Sequence, residues 1–235
     1  MSPEAENTRM GGKPPVVCYV TDRRSLAATN SVAALISSIR VAIAAGVDWV
    51  QIREKDLSSR ELLDLATSAV HAADELAGGS PPTRIIVNDR LDVALAAGAA
   101  GVHLGRESIP AAEVVRWCRG GKAPRGFLVG VSCHSLADAR EAESAGADYV
   151  IFGPVFDTPS KRPFGPPQGT SNLAQVCGSV RIPVIAIGGI DQQNAAECLR
   201  AGAAGIAAIR MFQKHHSATP LAERIAQFHA WREAR

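Results

Sequence analysis

The sequence predicts an α/β fold: one closed barrel of eight parallel strands that alternate with helices. Eight short runs, continuously apolar and rich in Val, Ile and Ala, recur along the 235 residues, as is typical of strands buried on both faces of a parallel sheet. Helical patterns lie between these runs. An Ala-Gly pair precedes every second run, with its glycine at Gly46, Gly98, Gly146 and Gly202, where it predicts a left-handed helix end. This recurrence favours a (β/α)₈ TIM barrel, whose usual length is about 250 residues.

The predicted strands are residues 16–21, 47–53, 84–88, 100–104, 127–131, 148–152, 183–187 and 204–208. Helices are predicted over 31–45, 59–76, 111–119, 135–145 and 192–201, and several of them begin at Ser. A doubly wound open sheet is the alternative, but neither a G-x-G-x-x-G nor a P-loop motif supports it. We predict a flexible tail over residues 1–15 and a single barrel over 16–235.

Composition excludes several function classes. Lys and Arg total 25 against 23 Asp and Glu, so the net charge of +2 gives no electrostatic reason to expect nucleic acid or a membrane surface as a partner. No apolar run reaches the roughly 18 residues of a membrane span. The five cysteines are scattered and form no C-x-x-C pair, which predicts a reducing, cytoplasmic setting. The sequence leaves open whether the chain forms a homo-oligomer.

The active site of such a barrel lies where its strands end. Strand two ends in Gln51, Arg53 and Lys55, which strand alternation points to one side. Two cations and an amide at the barrel mouth suit a phosphorylated or diphosphorylated small molecule. The alternative is a solvated loop in which Arg53 pairs with Glu54 or Asp56.

Strand three ends in Asn88 and Asp89. A carboxylate beside diphosphate-binding cations predicts Mg²⁺, which binds one or two carboxylates together with phosphate oxygens. The alternative is that Asp89 caps the next helix.

Of the two histidines near strand ends, His103 is expected to line the barrel. His134 lies where a general base would lie, beside Ser135, a candidate helix cap.

Two further loops predict anion binding. The loop over residues 153–169 is long enough for a lid, and its Thr158, Ser160 and Lys161 could wrap an anion, with Gly169 at its end. Gly188 and Gly189 after strand seven, and Ile209 and Arg210 after strand eight, occupy the habitual phosphate site of these barrels. Two anionic zones predict an enzyme that joins, or transfers between, two phosphorylated molecules.

These motifs together resemble the thiamine phosphate synthase family: Gln51 to Lys55, Asn88-Asp89, Gly101 to Gly105, Gly153 to Lys161 and Ile187 to Ile190, in this order. The resemblance implies condensation of hydroxymethylpyrimidine diphosphate with hydroxyethylthiazole phosphate, with Mg²⁺ and release of diphosphate. It implies that Gln51, Arg53, Lys55, Asn88 and Lys161 hold the diphosphate, that Asp89 binds Mg²⁺ and that Ser132 lies by the pyrimidine. It places the thiazole phosphate at Thr158, Ser160, Gly188, Gly189 and the backbone near Ile209 and Arg210.

The sequence departs from this family at two positions. Ser108 stands where the synthase usually has an Asp as a second metal ligand, and Arg210 stands where it commonly has Ser. At both positions the chain resembles the related thiazole tautomerase branch. That branch needs no metal, and in it the residue matching His134 is the acid and base. The alternatives are therefore a tautomerase, or a barrel that senses a thiamine intermediate without turnover.

Overall fold

A computed structural model describes residues 15–26, 31–158, 166–213 and 218–230. Its eight strands are β1 (Val16–Val20), β2 (Trp49–Ile52), β3 (Arg84–Asn88), β4 (Gly101–Leu104), β5 (Leu128–Cys133), β6 (Tyr149–Phe152), β7 (Val184–Ile187) and β8 (Gly205–Ala208). All neighbouring pairs are parallel, and β8 pairs with β1, for example Ile206 with Val17. The sheet is therefore a closed barrel, which confirms the predicted fold and excludes the open sheet. The predicted tail, residues 1–15, lies outside the described residues except for Pro15.

Helices follow the strands around the barrel. They are α1 (Val32–Ala44), α2 (Ser59–Leu76), α3 (Leu91–Ala96), α4 (Ala111–Trp117), α5 (Leu136–Ser144), α6 (Gly169–Cys177), α7 (Ala195–Arg200), α8 (Arg210–Gln213) and α9 (Ala218–Ala230). The sequence patterns do not predict α6, α8 or α9, whereas α3 begins where a helix is expected after Asp89. Ser31, Ser58 and Ser135 cap α1, α2 and α5 through their hydroxyl oxygens. In the described residues, no helix is both long and apolar enough to cross a bilayer.

The four Ala-Gly pairs form the same hydrogen-bonded helix end. Gly46, Gly98, Gly146 and Gly202 all have positive φ, between 70° and 98°. After α1, the Gly46 N–H donates to the Ile43 carbonyl and the Val47 N–H donates to the Ala42 carbonyl. Equivalent pairs of bonds follow the helices before β4, β6 and β8. This is the Schellman motif, so the predicted left-handed ends are confirmed.

The strand bounds differ from those predicted by one or two residues at most ends. Strand β2 begins at Trp49 instead of residue 47, because the Val47 N–H belongs to the helix end before it. Strand β5 continues to Cys133 instead of stopping at residue 131, since Ser132 and Cys133 pair with Ile151 and Phe152 of β6. The longer β5 carries Ser132 on the barrel wall itself.

The barrel interior holds an apolar cluster separate from the layer between strands and helices. Its aromatic members are Trp49 and Tyr149, whose rings meet edge to face with centroids 4.8 Å apart. Gly130 makes room for one of them, because a Cβ atom added there would lie 2.5 Å or less from atoms of the Tyr149 side chain. The remaining buried members of the cluster are Val16, Cys18, Val20, Ile86, Leu128, Ile151, Ile185 and Ala207.

We expect Gly130→Ala to lower the free energy of unfolding by about 3 kcal/mol, because the new methyl group overlaps the buried Tyr149 ring. Gly120→Ala is the matched control: a Cβ atom there has no neighbour within 4 Å, and φ is −71°. Urea unfolding of both variants measures the difference. Equal stabilities would show that the ring can move aside.

Candidate active site

The structure brings most of the predicted site residues to one end of the barrel. Three of them are among the last two residues of their strands: Gln51 in β2, Asn88 in β3 and Ser132 in β5. The rest follow strand ends: Arg53 and Lys55 after β2, Asp89 after β3, His134 after β5, Thr158 after β6, Gly188 and Gly189 after β7, and Ile209 and Arg210 after β8. Gly169 is the first residue of α6. Ser160 and Lys161 lie outside the described residues.

The cations after β2 are not neutralised by their neighbours in sequence. In the described part of the chain, the side chains of Arg53 and Lys55 form no ion pair, while Glu54 pairs with Arg23. Asp56 pairs with Arg23 and Arg24, and these bonds hold the pKa of its carboxyl below the usual range. The alternative that Arg53 pairs with Glu54 or Asp56 is therefore wrong, and both cations remain available to an anion.

Glu54 is a buried carboxylate that joins the loops after β1 and β2. Its side chain is 2% exposed and accepts hydrogen bonds from the Thr21 hydroxyl at 2.7 Å, the Arg23 N–H at 3.1 Å and Arg23 Nη1 at 3.1 Å. Thr21 Oγ1 accepts in turn from the Arg53 N–H at 2.9 Å. These bonds fix the backbone of Arg53 against the loop after β1.

Asp89 has the backbone conformation of a specialised position. Its φ is +68°, and it is the only non-glycine residue with positive φ in the described chain. Asp tolerates this region better than most residues, although strain of this kind collects at functional sites. Its N–H donates to the His103 carbonyl at 2.8 Å, which holds the turn. The residue at the cap position of α3 is Arg90, without a side-chain capping bond, so the alternative that Asp89 caps this helix is wrong.

The Asp89 carboxylate fits one role in a Mg²⁺ site. It is exposed, and the neighbouring Arg90 pairs with Asp92 instead. No group of three or more His, Cys, Asp or Glu residues that could hold a metal occurs within the described ranges. Mg²⁺ commonly takes one or two carboxylates and completes its shell with phosphate oxygens and water. Asp89 can therefore serve as a single protein ligand, with the rest supplied by a bound diphosphate.

Ser108 stabilises a turn. Its hydroxyl accepts a hydrogen bond from the Gly105 N–H at 2.7 Å, and its own N–H donates to the Gly105 carbonyl at 3.2 Å. The loop after β4 thus has its shape without a carboxylate at this position. Glu107, beside it, is exposed.

His103 lines the barrel, as expected. It is 1% exposed; its Nδ1 lies 3.3 Å from the Tyr149 hydroxyl and its Nε2 lies 2.9 Å from Ser132 Oγ. Burial, and then the nearby positive charge of Arg53, lower the pKa of His103 to about 3. The imidazole is therefore neutral at physiological pH.

His134 lies at the mouth with one ring nitrogen already in use. Its Nδ1 lies within hydrogen-bond distance of the Gly153 carbonyl, and since a carbonyl only accepts, Nδ1 carries a hydrogen, so that in the neutral ring the lone pair is on Nε2. The neighbouring Ser135 caps α5 through the Asp138 N–H at 3.1 Å. The geometry leaves His134 Nε2 able to accept a proton.

Gly188 and Gly189 lie where two loops pack too closely for a side chain. Their φ values are +100° and +65°. A Cβ atom on Gly188 would lie 2.5 Å from Pro154 Cα, and one on Gly189 would lie 2.6 Å from the Asp157 carbonyl oxygen. The loops after β6 and β7 therefore touch through their backbones. Arg210 closes the same region, since its Nη2 donates to Thr158 Oγ1 at 3.2 Å.

Sequence reasoning missed the part of the site after β1. Thr21 and Arg23 contact Glu54 from a loop about 30 positions earlier in the chain. The polar run from Thr21 to Arg24, directly after an apolar strand, is the signal that could have identified this loop. In the sequence, Tyr149 is recognisable only as part of a strand.

A closed parallel barrel with these polar strand ends defines a (β/α)₈-barrel enzyme. The family described as thiamine monophosphate synthase matches residues 17–212, so the chain belongs to the thiamine monophosphate synthase family. A putative thiamine-phosphate synthase of Geobacter sulfurreducens is 45% identical over 190 residues, 81% of this chain and 83% of the relative. The thiamine-phosphate synthase of Roseiflexus sp. is 40% identical over 83% of this chain and 76% of its own.

Solved structures agree with this assignment. The thiamine phosphate pyrophosphorylase of Pyrococcus furiosus superposes with a TM-score of 0.76 at 32% identity, covering 91% of this chain and 94% of its own. A 3-hexulose-6-phosphate synthase superposes with a TM-score of 0.66 at 16% identity, covering 91% and 99%. The second match shows only the shared barrel fold.

We expect Glu54→Gln to lower the free energy of unfolding by about 3 kcal/mol, because the amide group turns a donor toward the buried donors of Arg23. Glu75→Gln is the control, since Glu75 pairs with Arg40 on the surface with 63% of its side chain exposed, and its loss should leave the urea midpoint nearly unchanged. Urea unfolding at pH 7 compares the two variants. Similar losses would contradict an anchoring role for Glu54.

Proposed function

We propose that this chain condenses hydroxymethylpyrimidine diphosphate with hydroxyethylthiazole phosphate to give thiamine phosphate and diphosphate. Family membership supports the reaction. The observation that carries it to this chain is that Arg53 and Lys55 form no ion pair with any residue that the structure describes, and that they follow β2, the strand that pairs with β3 before Asp89.

The diphosphate half of the site is assigned to the ends of β2 and β3. Arg53 and Lys55 hold the diphosphate oxygens, with Lys161 from the loop after β6. Gln51 and Asn88 are already joined, with Gln51 Nε2 3.3 Å from Asn88 Oδ1. Of these two, Gln51 is 3% exposed while Asn88 is partly exposed, so their amides can accept and donate at the floor of the mouth.

The thiazole phosphate is assigned to the opposite side of the mouth. Backbone N–H groups of Gly188, Gly189 and Ile209 face the phosphate, with hydroxyls from Thr158 and Ser160 and with Gly169 at the end of the loop. In this chain Arg210 adds a guanidinium, which lies against Thr158. A guanidinium suits a phosphate monoester through two parallel hydrogen bonds.

Mg²⁺ is the cofactor in this proposal, and Asp89 is its protein ligand. The ion supplies positive charge to the departing diphosphate. Arg53, Lys55 and Lys161 stabilise the same growing negative charge from the protein side, and fixed cations of this kind act mainly on the transition state. The diphosphate leaves, the pyrimidine methylene becomes cationic and the thiazole nitrogen attacks it. No nucleophilic side chain is required.

A thiazole tautomerase is the second candidate, and His134 is the observation that favours it. Its imidazole is oriented by the Gly153 carbonyl with Nε2 free, as a group that moves protons on a substrate requires. The synthase is preferred because Arg53, Lys55 and Asp89 serve no purpose in a reaction without diphosphate or metal. A barrel that senses an intermediate without turnover is the third reading.

The remaining proposals concern the cellular location of the protein and its partners. We propose a cytoplasmic location, supported by five free cysteines, of which Cys18, Cys118, Cys133 and Cys198 are buried. The partners are phosphorylated small molecules, and neither nucleic acid nor a membrane is expected. Whether copies of the chain associate stays open.

One assay tests the function. The protein is incubated with the pyrimidine diphosphate and thiazole phosphate, or with the tautomerase substrate, with and without Mg²⁺. We expect thiamine phosphate only in the first set with Mg²⁺, and Arg53→Met should reduce its rate about 100-fold or more. Arg40→Met, which removes a cation from the outer helix α1, should leave the rate unchanged. Isomerisation without condensation would establish the tautomerase, and binding without either reaction would establish the sensor.

Ser108→Asp should lower the Mg²⁺ concentration that gives half the maximal rate. An added carboxylate suits a hard cation already held by Asp89 and diphosphate oxygens, and its oxygen can still accept the Gly105 N–H. Ser108→Asn introduces a side chain of the same shape as Asp but without its charge, and should not produce this change. The measurement is condensation rate against Mg²⁺ concentration for all three proteins. An unchanged or higher requirement in Ser108→Asp would place the metal away from this loop.

A further inference from the structure

Three polar side chains form a chain of contacts from the barrel interior to the mouth, and of the three only Ser132 has a role implied by the family resemblance, beside the pyrimidine. Tyr149 Oη lies 3.3 Å from His103 Nδ1, and His103 Nε2 lies 2.9 Å from Ser132 Oγ. Tyr149 and His103 are each 1% exposed, whereas Ser132 is partly exposed. The first two are therefore shielded from water, and the third reaches the site.

The strand register explains how these residues meet. His103 on β4 pairs with Gly130 on β5, and Gly130 pairs with Tyr149 on β6. Because Gly130 has no side chain, the Tyr149 ring passes over β5; a Cβ atom on Gly130 would lie 2.5 Å from Tyr149 Oη. Ser132 lies two residues further along β5, on the same face and nearer the mouth.

The direction of the hydrogen bonds follows from counting hydrogens. The phenol, the neutral imidazole and the serine hydroxyl each have one hydrogen to donate. Burial raises the pKa of Tyr149 well above its usual value, so the phenol keeps its hydrogen. If Tyr149 accepted from His103, its own hydrogen would need another acceptor. In the part of the chain that the structure describes, His103 Nδ1 is the one hydrogen-bond partner of Tyr149 Oη.

A buried donor without an acceptor is more costly than an unused lone pair. Tyr149 therefore donates to His103 Nδ1, which leaves the single imidazole hydrogen on Nε2. His103 Nε2 then donates to Ser132 Oγ. The hydrogen of Ser132 takes no part in this chain and is free to point into the mouth.

We propose that Tyr149 and His103 are positioning residues that make Ser132 a hydrogen-bond donor toward the substrate. The group that matches a fixed donor is an acceptor. On an aminopyrimidine the acceptors are the ring nitrogens, whereas the amino group donates. Resting on the proposed function, this inference assigns Ser132 to a ring nitrogen of the pyrimidine, and it makes the barrel select for that nitrogen.

The direction can be tested on the free protein without any substrate. Nitrogen-15 NMR of protein labelled at histidine distinguishes a protonated ring nitrogen from an unprotonated one. The His103 signals are those lost in His103→Gln or, if that variant does not fold, those most shifted in Ser132→Ala. We expect hydrogen on Nε2 and none on Nδ1 at pH 7. Hydrogen on Nδ1 would overturn the proposal.

The matching group is tested by binding measurements with substrate analogues. In two of them CH replaces one of the ring nitrogens, and in a third a methyl group replaces the amino group. One ring-nitrogen replacement should weaken binding to the wild-type protein about tenfold, because it leaves the Ser132 donor unpaired. In Ser132→Ala the same replacement should change binding less than about twofold. If only the amino replacement distinguishes the two proteins, Ser132 accepts and the proposal is wrong.

Tyr149→Phe keeps the ring and removes the first donor. We expect KM for the pyrimidine diphosphate to rise about threefold, with kcat and KM for the thiazole phosphate unchanged, since a loosened His103 affects binding of one substrate. A fall in kcat alone would contradict a positioning role. If the wild-type protein makes no thiamine phosphate while His103 carries hydrogen on Nε2, the proposed function fails and the direction of the chain stands.

Discussion

Closure of the parallel barrel is the constraint on which the rest of the structure depends. Because β8 pairs with β1, the carboxyl ends of all eight strands meet at one rim. Only this closure brings residues as far apart in the sequence as Thr21 and Arg210 to the same end of the barrel. The Schellman ends before β2, β4, β6 and β8 fix where these strands start, and therefore which side chains reach the rim.

Alternation along the chain then separates charges at that rim. Residues 53 to 56 read cation, acid, cation, acid, and a flexible loop with this sequence would neutralise itself. Glu54 is instead buried against the loop after β1, where Thr21 and Arg23 donate hydrogen bonds to its carboxylate. A buried ion pair adds little net stability, since desolvation opposes the attraction. Its contribution here is that Arg53 and Lys55 remain available to an anion.

Much of this architecture could be predicted from the sequence, because each local signal agreed with the barrel. The apolar runs predict the strands, and the Ala-Gly pairs predict left-handed helix ends, which the positive φ values confirm. Arg53, Lys55 and Asp89 could be found because they directly follow strands. The Glu54 to Arg23 contact could not, since it joins loops about 30 residues apart. The crossing of Tyr149 over Gly130 required the register of three strands.

Other differences have equally local causes. An Asp shortly before a helix commonly caps it, which makes Asp89 a candidate cap, but the cap position falls one residue later, on Arg90. The sequence predicts that Gly188 and Gly189 make room for a phosphate; the structure shows that they make room for the backbone after β6, and the phosphate stays a prediction. Ser160 and Lys161 belong to the residues that the structure does not describe, so their assignment continues to rest on resemblance.

The mouth and the interior hold polar groups of different kinds. At the rim, Lys55 is exposed and Arg53 is partly exposed, so their charges attract anions with little desolvation. Below it, His103 is buried beside the positive field of Arg53, and both effects keep it neutral. Neutral groups survive in such an interior when their hydrogen bonds are satisfied, as those of Tyr149 and His103 are. This arrangement matches a substrate with a charged end and an uncharged ring. The charged end would bind the cations at the rim, and the direction of the hydrogen bonds below would select the ring.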